Sequence, residues 1–207
     1  MVVGIALLTL FVPALPTYSL HREPNPQISN VSGLKSVARD TGLSTQVQFP
    51  SGLPLRLRVP SIGVDASIEY VGLTKAGAME VPKLHPNVAW YSLGTLPGDR
   101  GSAVIAGHYS WKKDGGAGVF GNLHKLRKGD LIYVDNDSGK SLVFEVLSSR
   151  LYDFDSDASE IFSRSNGAYL NLITCAGSWN QSKQSSTQRR VVLAEFVQQV
   201  IASERSS

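Results

Sequence analysis

Apolar residues are spaced along this chain in two different ways, and the change divides it into a front end and a body. Val2 to Val12 is almost continuously apolar, and no charged side chain occurs from Met1 to Leu20. A membrane-crossing helix needs about 20 apolar residues, so the stretch is just long enough, although Pro13 and Pro16 weaken its last turns. It reads as a retained anchor rather than a cleaved secretory signal, because no small-x-small cleavage site follows the apolar core. No Lys or Arg precedes the run, so flanking charge gives no support for a cytoplasmic N-terminus. Either reading puts the rest of the chain outside the cytoplasm. From His21 to position 52 the composition is that of a linker, rich in Pro, Ser, Asn, Gln and Gly, with room for a short helix near Leu34–Arg39.

From Leu53 onward the pattern shortens to strands. Leu55, Leu57 and Val59 alternate with Arg56 and Arg58, a half-buried strand in outline. Ser67–Val71, Ser102–Ala106, Asp130–Asp135, Ser141–Leu147, Tyr169–Thr174 and Val191–Val197 read as further strands, with Asp135 to Gly139 as hairpin-turn chemistry. Helical signal is thin: Val119–Leu126, and a turn near Ala158–Phe162. Roughly seven or eight short strands predict a mostly β body, a closed barrel or a sandwich, and argue against a parallel α/β sheet.

Composition narrows the function classes. The chain has 207 residues, 42% hydrophobic and 18% charged, enough for a real core and too apolar for wholesale disorder. Its net charge of +3 is scattered, with no basic stripe interleaved with aromatics, so no nucleic-acid partner is expected. One cysteine excludes a disulfide framework and a multi-cysteine metal site, leaving a nucleophile open. That residue, Cys175, ends an apolar strand and opens into Ala176-Gly177-Ser178, where a rigid support meets solvent. Free cysteine is often only a small buried hydrophobe. His108, however, ends a second apolar strand in the same manner. Apart, a thiol near pKa 8.5 and an imidazole near 6.5 are a poor nucleophile and a poor acid; together, imidazolium stabilises thiolate and stands ready as a proton donor. His21, His85 and His124 are weaker candidates, lying in the linker, in a loop before Pro86 and on a basic face.

Attack on a carbonyl also needs a group to hold the developing oxyanion. Arg189 and Arg190 directly precede the strand Val191-Val192-Leu193-Ala194, and fifteen residues separate Cys175 from Arg190, enough to turn and return antiparallel beside the sulfur. Strand alternation lets only one of the two face the site. Arg190 is preferred because it abuts the strand and shares its rigidity.

Leu172-Ile173-Thr174-Cys175, Ala106-Gly107-His108 and Arg190-Val191-Val192-Leu193 together resemble the three signature segments of the sortases, and Val119 to Leu123 followed by Lys128-Gly129-Asp130 resembles that family's short helix and next strand. The likeness runs from about Leu53 to Val200. It implies a closed eight-stranded β-barrel over 53–203, following an anchor at 1–20 and a linker at 21–52, with a tail at 204–207. It further implies a cysteine transpeptidase that uses no cofactor and no metal. Cys175 would attack the Thr carbonyl of an LPXTG-like sorting signal, His108 would serve the leaving and incoming amines, and Arg190 would hold the substrate backbone and oxyanion. Thr174 and Arg189 are the expected substrate-binding neighbours. The acceptor would be an amine of a peptidoglycan precursor, or a pilin lysine, at the membrane surface of a Gram-positive-type cell. Pilus-building members often carry an Asp-Pro-aromatic lid; none occurs in His21–Pro54, which favours surface anchoring. A peptidase using the same thiolate, and a catalytically silent peptide-binding barrel, are the alternatives.

Overall fold

The computed structural model describes residues 52–110 and 117–201. The anchor, the linker up to position 51 and the helix expected at Leu34–Arg39 lie outside the described residues. Eight strands follow in order: β1 (Pro54–Val59), β2 (Val64–Val71), β3 (Val88–Tyr91), β4 (Gly101–Gly107), β5 (Leu131–Asn136), β6 (Lys140–Asp153), β7 (Ala168–Asn180) and β8 (Ser185–Ile201). One short helix, α1 (Glu160–Ser163), lies in the β6–β7 connection. The strands close into a barrel in the order β1-β2-β3-β4-β7-β8-β6-β5. Two of the pairings are parallel, β2 with β3 and β4 with β7. The mostly β, closed eight-stranded barrel is thus the architecture that the resemblance implied.

Alternation decides which side chains fill the barrel. Ala103 and Ile105 of β4, Leu170 and Leu172 of β7, and Val192 and Ala194 of β8 point inward and are fully buried. Phe120, Leu123 and Leu126 join the same cluster from the connection before β5. Their spacing of three is that of a 3-10 turn, in which residues three apart eclipse on one face. The α-helix expected over Val119–Leu126 is accordingly absent; only Leu123–Lys125 turns, as a 3-10 segment.

A second apolar cluster covers the outside of the same strands. Val104, Ile173 and Val191 face outward against Ala158 and Ile161 of the β6–β7 connection and Met79 of the β2–β3 connection. Strands β4 and β7 are therefore buried on both faces along most of their length, which is why their sequences read as mostly apolar runs, broken by Ser102, Asn171 and Thr174, instead of alternating. A buried polar clamp pins α1 to this outer face. Ser102 Oγ donates to the Ile161 carbonyl at 2.6 Å, and Asn171 Nδ2 donates to Ser102 Oγ at 2.8 Å and to Ile161 O at 3.0 Å. Buried polar groups cost stability unless paired, and here the pairing fixes a connection to the two strands that matter below.

Candidate active site

The parallel register of β4 and β7 runs through Ala106 opposite Ile173. Thr174 Oγ1 extends the contact one residue further by donating to the Gly107 carbonyl at 2.8 Å. His108 and Cys175 follow, each two residues beyond the last outward-facing residue paired between β4 and β7. The fold therefore delivers imidazole and thiol to one face of the sheet, His108 just past the end of β4 and Cys175 within β7, which continues to Asn180 instead of ending at the cysteine. Cys175 is half-buried and lines a cavity of about 230 Å³. The glycine before His108 is required by packing: a Cβ on Gly107 would lie 2.5 Å from the Phe120 ring.

His108 is held from the β2–β3 connection. Its Nε2 lies 3.0 Å from the Pro82 carbonyl. A carbonyl only accepts, so Nε2 carries the hydrogen and donates it, leaving Nδ1 as the exchangeable nitrogen of the neutral ring. The His85 ring packs against it, centroids 4.7 Å apart. Behind them Glu69 accepts from the Lys83 and Leu84 amides at 2.8 and 3.0 Å and from Asn87 Nδ2 at 2.9 Å, which pins this segment. Burial alone would raise the Glu69 carboxyl, yet those three hydrogen bonds hold it below the usual range. For His108 burial dominates and lowers its proton affinity; the Pro82 carbonyl opposes, the His85 ring adds to the lowering, and the Glu69 charge opposes.

Both arginines lie inside β8 instead of before it, and the register separates them. Arg189 stands directly opposite Cys175, and Arg190 opposite Thr174. Directly opposed residues share a face, so Arg189 is on the sulfur's face, where the sequence reading had preferred Arg190. Arg189 is buried and donates from Nη1 to the Ser186 and Gln188 carbonyls at 3.0 and 2.8 Å, and from Nη2 to Ser185 Oγ at 2.7 Å. Its guanidinium lies 5.0 Å from the centre of the Phe154 ring. Burial lowers its proton affinity, and the charge of Cys175 acts the other way. Arg190 is half-buried, donates to Ser149 Oγ at 3.0 Å, and lines the cavity that also touches Cys175. Thr174, expected as a substrate-binding neighbour, spends its hydroxyl on the Gly107 carbonyl and lines that same cavity.

His85 and His124 count for more than their sequence context suggested. His85 packs against the His108 ring, and His124 lines the cavity beside Cys175. Neither carries a spacing signal, since both reach the site from connections. Among the described residues no group of three or more His, Cys, Asp or Glu side chains is arranged to hold a metal ion.

Residues 57–197 match the sortase domain family. The chain belongs to the sortase family. Sortases are cysteine transpeptidases, and this barrel supplies the single thiol such chemistry requires. Solved sortases share the fold at low identity. Sortase A of Listeria monocytogenes is 23% identical with a TM-score of 0.52, over 72% of this chain and 90% of that one. The Group B Streptococcus pilus island 1 sortase C2 is 24% identical with a TM-score of 0.54, over 72% and 77%. A Clostridium perfringens sortase D5 transpeptidase is 22% identical with a TM-score of 0.52, over 71% and 79%. No curated protein sequence matches the chain.

Proposed function

We propose that this sortase cleaves an LPXTG-like sorting signal after its Thr and transfers the Thr carbonyl to an amine of the cell wall. The observation that carries the reading is the order across three neighbouring strands: His108 after β4, Cys175 on β7, and Arg189 opposite it on β8. The Cys175 thiolate attacks the Thr carbonyl carbon. The oxyanion is held by the Arg189 guanidinium, the scissile C–N bond breaks, and the leaving amine takes its proton from His108 imidazolium. An incoming amine then attacks the thioester carbon and gives its proton to neutral His108; the C–S bond breaks and the thiolate is restored.

Burial of His108 disfavours its protonated form, and because catalysis needs thiol and imidazole as a coupled pair the rate profile should be bell-shaped in pH. Val104, Ile173 and Ile161 are buried against one another on the outer face that leads to Cys175, and the edge of that cluster suits the apolar start of such a signal. The segment at 1–20 supports a single-pass anchor with the barrel outside the cell, and the missing Asp-Pro-aromatic lid supports wall anchoring over pilus assembly.

Mass spectrometry of the enzyme with LPXTG-type peptides and amines tests this. A peptide adduct on Cys175, discharged to a new amide when amine is added and absent in Cys175→Ala, is the expected result. An adduct that is only hydrolysed, whatever amine is supplied, sinks the transfer step.

A further inference from the structure

The cavity beside Cys175 contains a charge that the sorting-signal chemistry leaves unused. About 230 Å³ in volume, it has room for several water molecules or a group the size of an amino acid, and no carboxylate lines it. Arg190 enters it half-buried, its guanidinium bonded only to Ser149 Oγ and, among the described residues, without an ion-pair partner. Arg56 and Arg58 on β1, by contrast, each hold a carboxylate, Asp65 and Asp135 respectively. A partly desolvated guanidinium with no counter-ion is costly unless a ligand supplies the anion, and its planar fork of donors fits a carboxylate.

Position says which ligand. Arg190 stands opposite Thr174, one residue from the nucleophile. Neighbouring strands lie about 4.8 Å apart and successive residues about 3.3 Å apart, so an anion held there is a few bonds from a thioacyl carbon on Cys175. The cavity is lined by Thr174 and Arg190, which alternate toward the barrel, whereas the apolar outer face takes the other side of the sulfur. We propose that Arg190 binds a carboxylate of the incoming acceptor, so that the preferred nucleophile is an amine with a carboxylate a few bonds from its nitrogen. The inference rests on the transpeptidation reading above. The carboxylate takes no covalent part; the amine forms the C–N bond, loses its proton to His108, and Cys175 leaves as thiolate.

The test compares acceptors that differ only in the anion, β-alanine against β-alaninamide, at equal free-base concentration, following discharge of the peptide adduct. The wild-type enzyme should favour the carboxylate by about tenfold in acceptor kcat/KM, the size expected for one charge-assisted contact. That ratio should fall toward one in Arg190→Gln, survive in part in Arg190→Lys, and shrink with added salt in the wild type. A wild-type ratio near one, or one unchanged in Arg190→Gln, overturns the inference while leaving transpeptidation standing. So does a gain seen only in adduct formation from peptides with an acidic residue after the Thr, which would give the cavity to the leaving segment. A chain that forms no adduct overturns both readings.

Discussion

The two faces of β4 and β7 are both buried, yet they are built differently. Inward, Ala103, Ile105, Leu170 and Leu172 pack into the closed barrel against other strands and against Phe120, Leu123 and Leu126, and closure of the sheet covers them. Outward, Val104 and Ile173 are covered by connections, which have no ladder to hold them and depend on the Ser102–Asn171–Ile161 clamp. The inner core makes a barrel; the outer core makes a wall, and the reactive residues stand where that wall runs out. Stability and recognition are therefore separable here in a way that a single core would not permit.

The sharpest probe of that separation is the arginine pair. Arg189→Lys should lower adduct formation by about 10²- to 10³-fold, the usual cost of losing an oxyanion donor, and by more than Arg190→Lys does; the reverse order would return Arg190 to the sulfur. Next, Leu172→Ala should cost about 2–5 kcal/mol in urea unfolding with little change in peptide KM. Ile161→Ala should fall at the low end of that range and raise KM. Equal costs with KM untouched would make the outer cluster ordinary core. Asn171→Leu, which removes two hydrogen bonds of the clamp while Ser102 still pairs the Ile161 carbonyl, should cost about 1–3 kcal/mol and raise KM as well. The smallest effect is on pH. Because the folded His108 binds its proton more weakly than the usual 6.5, its contribution is complete above that value and is lost as pH falls below it, where the unfolded chain takes the proton first. The decline in Tm between pH 7 and pH 5 should be shallower in His108→Gln than in the wild type, and an identical slope would show that the ring is not buried as a neutral group.

Much of the barrel was legible because alternation and continuous apolar runs name strands directly. The strand at Val88–Tyr91 was not, being four residues long, buried on both faces and just past Pro86, with neither period nor length to mark it. The outer ends of β6, β7 and β8 fall outside the strands that the apolar pattern predicts, because Ser148–Asp153, Ala176–Asn180 and Ser185–Arg190 are largely polar; they are strands because their backbones pair, with only Ser185 and Arg189 of those side chains buried. Cys175 and His108 stand out in the sequence as candidates after apolar runs, although β7 continues past Cys175 to Asn180. The arginine choice was beyond sequence for a definite reason. A shift of one residue in pairing turns a side chain to the opposite face, and the β7–β8 pairing contains an irregularity between Ala176 and Trp179 that no composition rule announces. Pro82 and Glu69 were equally hidden, since a backbone carbonyl and a loop-pinning carboxylate leave no motif.

The parallel contact between Gly107 and Thr174 joins residues 67 positions apart, and β8, the last strand in sequence, sits between β7 and β6. Long-range pairings of this kind form late and slowly. During synthesis the cysteine strand leaves the ribosome with no guanidinium beside it and an unfinished sheet around it. The thiol thus lacks its guanidinium neighbours until the final segment pairs, and a chain cut short before β8 would lose Gln188, Arg189 and Arg190 together from the nucleophile's neighbourhood.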